Sequence, residues 1–350
     1  MKSAVQIALY NSSGRLPRLF DCLRAQTDRD WQLFLYDNSC DQAEQVRVRE
    51  VVAQSRLPIR LTIGEKNLGF TAHNEMWRQH EAEFVFILND DIELKPDYFE
   101  KCLARLQSDP NCASVTGLLY REGGELVDTA GLEYGCLGKV SDRWAGKNHS
   151  QILKNIGIDG GVFGVSCVAA LFRRAAVEAV SPEKLPFDPS FFMYKEDVDL
   201  AIRLRRHGFT SWFEPLAVGI HLRGVKQTRG WLARMRDERR RPLALRKQMY
   251  VNQWAIYFYH LFWALGWRDI LLSICNEKLR GLALFFLGSP AAFVRSWFRI
   301  LKNRKRLLER RKQLEILGLG HIRMDCLHLS KGEMKRGLEP GRQPPLAPPS

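Results

Sequence analysis

Four short runs rich in β-branched and aromatic residues, AVQIALY from Ala4, WQLFLYD from Trp31, IRLTIG from Ile59 and FVFILND from Phe84, alternate with helical stretches through about residue 120. That alternation constrains the chain more than any other feature. Near-continuous apolar strands are what a parallel sheet needs when helices cover both of its faces. Right-handed crossovers then bring the carboxyl end of every strand to one edge, where open α/β sheets bind ligands. The predicted strands end in Asn11, in Asp37 and Asn38, ahead of Asn67, and in Asn89, Asp90 and Asp91, so polar groups should converge on that edge. The expected fold is α/β, with a mostly parallel sheet.

Farther along, Tyr120 to Gly161 is rich in glycine and charge without a strong period, which predicts loops and short strands. VSCVAALF reads as another strand. A helix is expected to start near Lys195 and end before Gly208, with Leu200, Ala201 and Leu204 on its core face. After His221 the composition turns basic and aromatic, and LEPGRQPPLAPPS closes the chain in a proline-rich tail. These shifts predict an α/β domain over 1–225, a basic helical region over 226–326 and a disordered tail over 327–350. With 350 residues and 45% hydrophobic content the chain can bury a sizeable core, and its net charge of +14 points to anionic partners. The eight cysteines show no Cys-x-x-Cys spacing, so they read as reduced thiols in a cytosolic protein without structural zinc. The apolar start MKSAVQIALY is too short for a signal peptide.

Two stretches carry chemistry. In EFVFILNDDIEL a buried strand runs into an amide and two carboxylates; at a ligand edge such a pair can hold a hard divalent cation that bridges phosphates. The plainer reading is a turn whose aspartates cap a helix starting near Lys95 and Pro96. In FFMYKEDVDLAIRL, Glu196, Asp197 and Asp199 gather at a helix amino terminus. The macrodipole alone favours acids there, and by the same effect it should keep a general base ionised at neutral pH.

The order of DNSCD, NLGFTAHN, ILNDDIEL and FDPSFFMYKEDVDLAIRLRRHGF resembles glycosyltransferase family 2, in particular its rhamnosyltransferase-like branch, over about residues 4 to 222. The resemblance implies a GT-A fold, Rossmann-like in its mostly parallel sheet. It also implies a nucleotide-diphosphate sugar donor (dTDP-rhamnose or a UDP-hexose), Mg2+ or Mn2+, and inversion at the anomeric carbon. Carried onto this chain, Asp37 faces the nucleoside base, and Asn67, Gly69 and Asn74 form the donor loop. For Asn67 and Gly69 an ordinary turn is the alternative. Asn11, Asn89 and Asp90 complete the donor side. Asp91 is the implied metal contact, although Asn89 stands where the family's Asp-x-Asp element has its first aspartate. Asp197 is the implied general base, with Glu196 as substitute. His221 in GIHLRG resembles a late histidine that adds a metal or diphosphate contact; a lone histidine is as readily structural. The implied acceptor is a hydroxyl of a glycan or lipid-linked glycan in cell-surface polysaccharide synthesis.

Two rival classes can be set beside this. The charge and the segment RGWLARMRDERRRPLALRK would suit a nucleic-acid binder, but no nucleic-acid fold signature accompanies them, so nucleic acid is not expected as a partner. A sugar-nucleotide-forming nucleotidyltransferase would want a glycine-rich, lysine-containing loop after the first strand, which YNSSGRLPR resembles poorly. The aromatic and basic segments near 249–267 and 279–312 are interrupted by polar residues or Pro290, which predicts interfacial helices on an anionic membrane surface, at the inner face of the cell membrane.

Overall fold

A computed structural model of the chain describes residues 2–135, 140–152, 160–222, 242–261 and 290–319. The expected domain boundary near 225, most of the basic segment around Trp231, the apolar run before Pro290 and the tail lie outside the described residues.

The predicted strands are β1 (Ser3–Leu9), β2 (Trp31–Asp37), β3 (Ile59–Ile63) and β4 (Phe84–Leu88), all parallel in the order β3-β2-β1-β4. Their residues alternate between the two faces; in β1, β2 and β4 both faces are buried, and β3, at the edge, is only partly covered. Val5, Ile7, Leu9, Phe84, Phe86 and Leu88 pack against α1 (Leu16–Arg24) and α4 (Tyr98–Gln107). Ala4, Val85 and Ile87 pack on the opposite side with α3 (Ala72–Trp77) and α7 (Glu196–Arg206). This double burial is why the strands read as continuous apolar runs. The remaining helices before α7 are α2 (Gln42–Gln54), α5 (His149–Ile152) and α6 (Arg174–Ala179).

Beyond β4 the sheet becomes mixed. β11 (Ala169–Arg173) runs antiparallel between β4 and β6 (Cys112–Arg121), and β12 (Thr210–His221) runs parallel to β6, with β10 (Gly161–Val162) outside it. The loop-rich middle contributes β7 (Val127–Thr129) on β6 and a separate ribbon of β8 (Leu132–Tyr134) and β9 (Val140–Asp142). The long strands β6 and β12 were not predicted, and neither was the short strand β5 (Ile92–Leu94). β5 leaves the strand order to pair antiparallel with the end of β12. It ends just before Lys95, near which a helix was expected to begin; α4 starts at Tyr98 with Asp97 at its N-cap, so Asp90 and Asp91 do not cap it.

The helical region packs on this unit. Tyr250, Trp254 and Ile256 of α8 (Leu243–Ile256), Ile300 of α9 (Pro290–Lys302) and Leu314 of α10 (Arg304–Leu314) share one core with Leu200, Ala201 and Leu204 of α7. Among the described residues no helix is long and apolar enough to cross a membrane.

Candidate active site

The strand ends build the site. Asp37 closes β2 fully buried; one carboxylate oxygen accepts from the Ser39 N–H at 2.9 Å, and among the described residues the other has no hydrogen-bond partner. A buried, unmatched carboxylate oxygen carries a desolvation cost, which a ligand donor would relieve. Next to it, the Asn38 amide donates to the Gly69 carbonyl (3.1 Å) and accepts from the Leu68 N–H (2.8 Å), tying the end of β2 to the loop that follows β3. Within that loop Asn67 accepts from the Gly69 N–H at 2.7 Å in a turn closed by its own side chain. Gly69 lies at φ +59°, and a Cβ there would sit 2.2 Å from the Phe192 carbonyl oxygen. Only glycine meets both demands. The same carbonyl accepts from the Phe70 N–H at 2.8 Å, so NLGF and FFMYKED, far apart in sequence, are joined backbone to backbone. Asn74 is buried, its amide doubly bonded to the backbone of Phe187 at 2.8 and 3.1 Å, and it anchors the segment entering FFMYKED.

The adjacent carboxylates of ILNDD separate. Asp90 turns toward the loop after β1, taking hydrogen bonds from Ser12 and from Arg15 (2.6 Å). Asn11 in that loop has φ +51°, a conformation asparagine tolerates, and its N–H donates to Ser39. Asn89 continues β4 through a backbone bond to Val168 at 2.9 Å. Asp91 turns the other way. Because β5 pairs with β12 so that Ile92 faces His221, Asp91 meets the imidazole: Asp91 Oδ1 lies 3.0 Å from Nε2. The other ring nitrogen, Nδ1, lies 2.7 Å from Asp128 Oδ2. Burial alone would lower the His221 pKa, but the two carboxylates outweigh it and raise it. Burial likewise opposes ionisation of Asp91, and the hydrogen bond and charge of His221, with the Arg15 charge, reverse that and lower it. Asp128, from the motif-poor middle section, had no signal in the sequence, and neither did the pairing of Ser12 and Arg15 with Asp90.

Glu196 and Asp197 open α7, and here the expectation from the helix dipole is corrected. Desolvation dominates: Glu196 is buried, its Oε2 without a hydrogen-bond partner among the described residues, and burial together with the Asp197 charge pushes its carboxyl well above the usual range. Asp197, half-buried, is pushed up to about 6 by desolvation, with Lys195 opposing and Asp142 adding to the rise. Its Oδ1 accepts from the Val198 N–H at 2.8 Å. Asp199, grouped with them by sequence, is a structural acid. It is bonded to Arg203 Nε and His260 Nε2, both at 2.8 Å, and although burial opposes its charge, the Arg203 and His260 contacts lower its pKa.

A mostly parallel sheet with acidic groups at its carboxyl edge defines a class, the GT-A glycosyltransferases, and solved members of that class share this fold. GalNAc-T7, solved with UDP, GalNAc and Mn2+, superposes with a TM-score of 0.58 at 13% identity, covering 79% of this chain and 50% of that one. The mannosyltransferase PcManGT of Pyrobaculum calidifontis, in complex with GDP-Man and Mn2+, gives 0.51 at 15% identity over 91% and 85% of the two chains. This chain thus spans half the length of GalNAc-T7 and most of PcManGT. The chain belongs to Glycosyl transferase family 2, whose model matches residues 4–181. It is also 27% identical over 236 residues, 61% of this chain and 73% of the relative, to N-acetylglucosaminyl-diphospho-decaprenol L-rhamnosyltransferase of Mycobacterium tuberculosis. The protein is a glycosyltransferase.

Proposed function

We propose that the protein moves a sugar, with dTDP-rhamnose as the first candidate donor and a UDP-hexose as the next, onto a hydroxyl of a lipid-linked glycan with inversion of configuration. The carrying observation is the half-buried Asp197 carboxyl at the start of α7, pushed up to about 6 by desolvation, beside the buried Glu196, whose ionisation burial opposes. An ionisable carboxylate poised just below neutrality suits a general base that takes the proton from an attacking hydroxyl. Direct attack on the anomeric carbon from the face opposite the departing diphosphate inverts it. The rhamnosyl and lipid-linked assignments are supported by the mycobacterial relative, whose name specifies a rhamnosyl group and a diphospho-decaprenol acceptor.

Asp37 and the loop Asn67–Gly69 suit the nucleoside, and Arg15, close to Asp90, adds a cation on the diphosphate side. A divalent cation fits Asp91 and His221. Metal-bound histidines are commonly held through the other ring nitrogen by a carboxylate, as Asp128 holds Nδ1. Asp91 Oδ1 and His221 Nε2 lie 3.0 Å apart, so the two would hold a cation together. Among the described residues no group of three metal-ligating side chains occurs, so the donor diphosphate would complete the shell. Mn2+ in both solved neighbours supports the same reading. Bound there, the ion would offset charge on the leaving diphosphate.

An anionic membrane surface as partner is supported by the outer face of α9 and α10. Val294, Phe298, Leu301 and Leu308 recur at helical spacing and are 48–70% exposed, beside the exposed Arg295, Lys302, Arg304 and Lys305. Thermal shifts over a panel of nucleotide sugars, with and without Mn2+, test the donor assignment. dTDP-rhamnose should stabilise wild type in the presence of Mn2+, and Asp91→Ala should lose the Mn2+-dependent part. Equal shifts in Asp91→Ala, or stabilisation by a nucleoside triphosphate in place of any nucleotide sugar, would overturn the reading.

A further inference from the structure

The turn into α7 holds two consecutive non-glycine residues in the left-handed region, Tyr194 at φ +70° and Lys195 at φ +73°. L-residues with side chains disfavour that region and keep it only where the surroundings enforce it. Glu196 and Asp197 follow at once, so the conformation of 194 and 195 sets where both carboxylates emerge. Lys195, at the N-cap position, has no side-chain acceptor with which to cap the helix.

The restraint comes from the helical region. Asn252 of α8, 2% exposed, donates from Nδ2 to two successive carbonyls of the turn, Met193 at 2.9 Å and Tyr194 at 2.7 Å. Carbonyls only accept, so the amide nitrogen must face them, and the remaining Oδ1 accepts from Gln248 Nε2 at 2.7 Å. Gln248, also buried, donates to the Ser190 carbonyl (3.3 Å) and accepts from Arg299 of α9 (2.8 Å). Two buried side-chain amides are thereby aligned on the backbone of the segment that carries the carboxylates. Packing alone would not require this, because an apolar residue of similar size would fill the position without leaving a polar group to match.

We propose that Asn252 is a positioning residue for the catalytic base, fixing the strained Tyr194–Lys195 turn so that Asp197 meets the acceptor hydroxyl. The inference rests on Asp197 being that base. The test compares Asn252→Ala, Asn252→Asp and Asp197→Asn in the full chain. Turnover is followed as dTDP released from dTDP-rhamnose with a polyprenyl-diphosphate-linked N-acetylglucosamine acceptor, and dTDP binding is titrated to count folded sites. Asn252→Asp is isosteric but presents an acceptor to the two carbonyls; Asn252→Ala covers the case in which the buried charge prevents folding.

Per folded site, kcat should fall about tenfold or more, with donor KM and dTDP affinity unchanged, since displacing a reacting group from its geometry costs rate rather than binding. Adding Tyr194→Asn to Asn252→Ala should restore several-fold of the loss, because asparagine accepts left-handed backbone more readily than tyrosine. Wild-type kcat per folded site in either Asn252 variant would overturn the clamp, as would a loss that follows the count of folded sites and that Tyr194→Asn leaves untouched. Full activity in Asp197→Asn would instead overturn the base assignment, whatever Asn252 does.

Discussion

Asp197 starts a helix whose amino terminus favours its charge, yet its pKa moves up because the carboxyl leaves water beside Glu196 and near Asp142. The motif and its place at a helix start were legible in the sequence. The direction of the shift was not, because desolvation depends on what packs around the turn. The consequence for rate is direct: log kcat/KM should fall with unit slope as pH drops below about 6, and Asp197→Asn should cut turnover by about 10² or more with little change in donor affinity. Glu196→Gln, which keeps the shape of a side chain whose ionisation burial opposes, should lose far less. For stability the sign is opposite. A raised carboxyl pKa stabilises the fold in full below its ordinary 3.8, and that stabilisation is lost as pH rises through about 6. The pair Asp91 and His221 was also legible, as two motifs, whereas Asp128 behind the imidazole was not, since the bond spans distant segments that no local pattern connects.

At the scale of elements, β1, β2 and β4, buried on both faces, announced themselves, and so did α7, with its apolar spacing, whereas the equally buried β6 and the long β12 did not. The short β5 did not, because three residues are too few for a period and their partner, β12, comes more than a hundred residues later. Its consequence is large, since β5 brings Asp91 to His221. Gly69 shows what such long-range closure demands of one residue. Gly69→Ala would force a methyl group into the Phe192 carbonyl from a left-handed backbone, breaking the contact that joins the donor loop to the segment carrying the base. It should cost about 2 kcal/mol or more of stability and weaken donor binding; denaturant unfolding and dTDP titration measure both. An unchanged midpoint would mean that the loop does not pack on Phe192.

Across the whole molecule, the carboxyl-terminal helices α8, α9 and α10 were expected as basic, amphipathic helices, but their inner face was not legible, because the acids they meet lie on the α/β unit. His260 bonds to Asp199, and Arg310 reaches Glu183 and Asp188. Ending the chain after residue 225 would strand Asp199 and Asp188, both buried, without those cations or donors. Loss of such partners should lower Tm by about 5 °C or more relative to the full chain. On the outer face, the full chain should sediment with vesicles containing an anionic phospholipid and only in part be released by high salt, since inserted apolar side chains resist screening. Phe298→Asp with Leu301→Asp should abolish binding; retention in that double variant, or no binding by wild type at low salt, would remove the membrane partner.

The central claim is an inverting sugar transfer with Asp197 as base, and the product tests it most directly. Wild type supplied with dTDP-rhamnose, Mn2+ and a polyprenyl-diphosphate-linked N-acetylglucosamine should release dTDP and yield a glycoside whose anomeric configuration, read by NMR, is opposite to that of the donor. Asp197→Asn should form little of it. A retained configuration, or undiminished product from Asp197→Asn, would contradict the account.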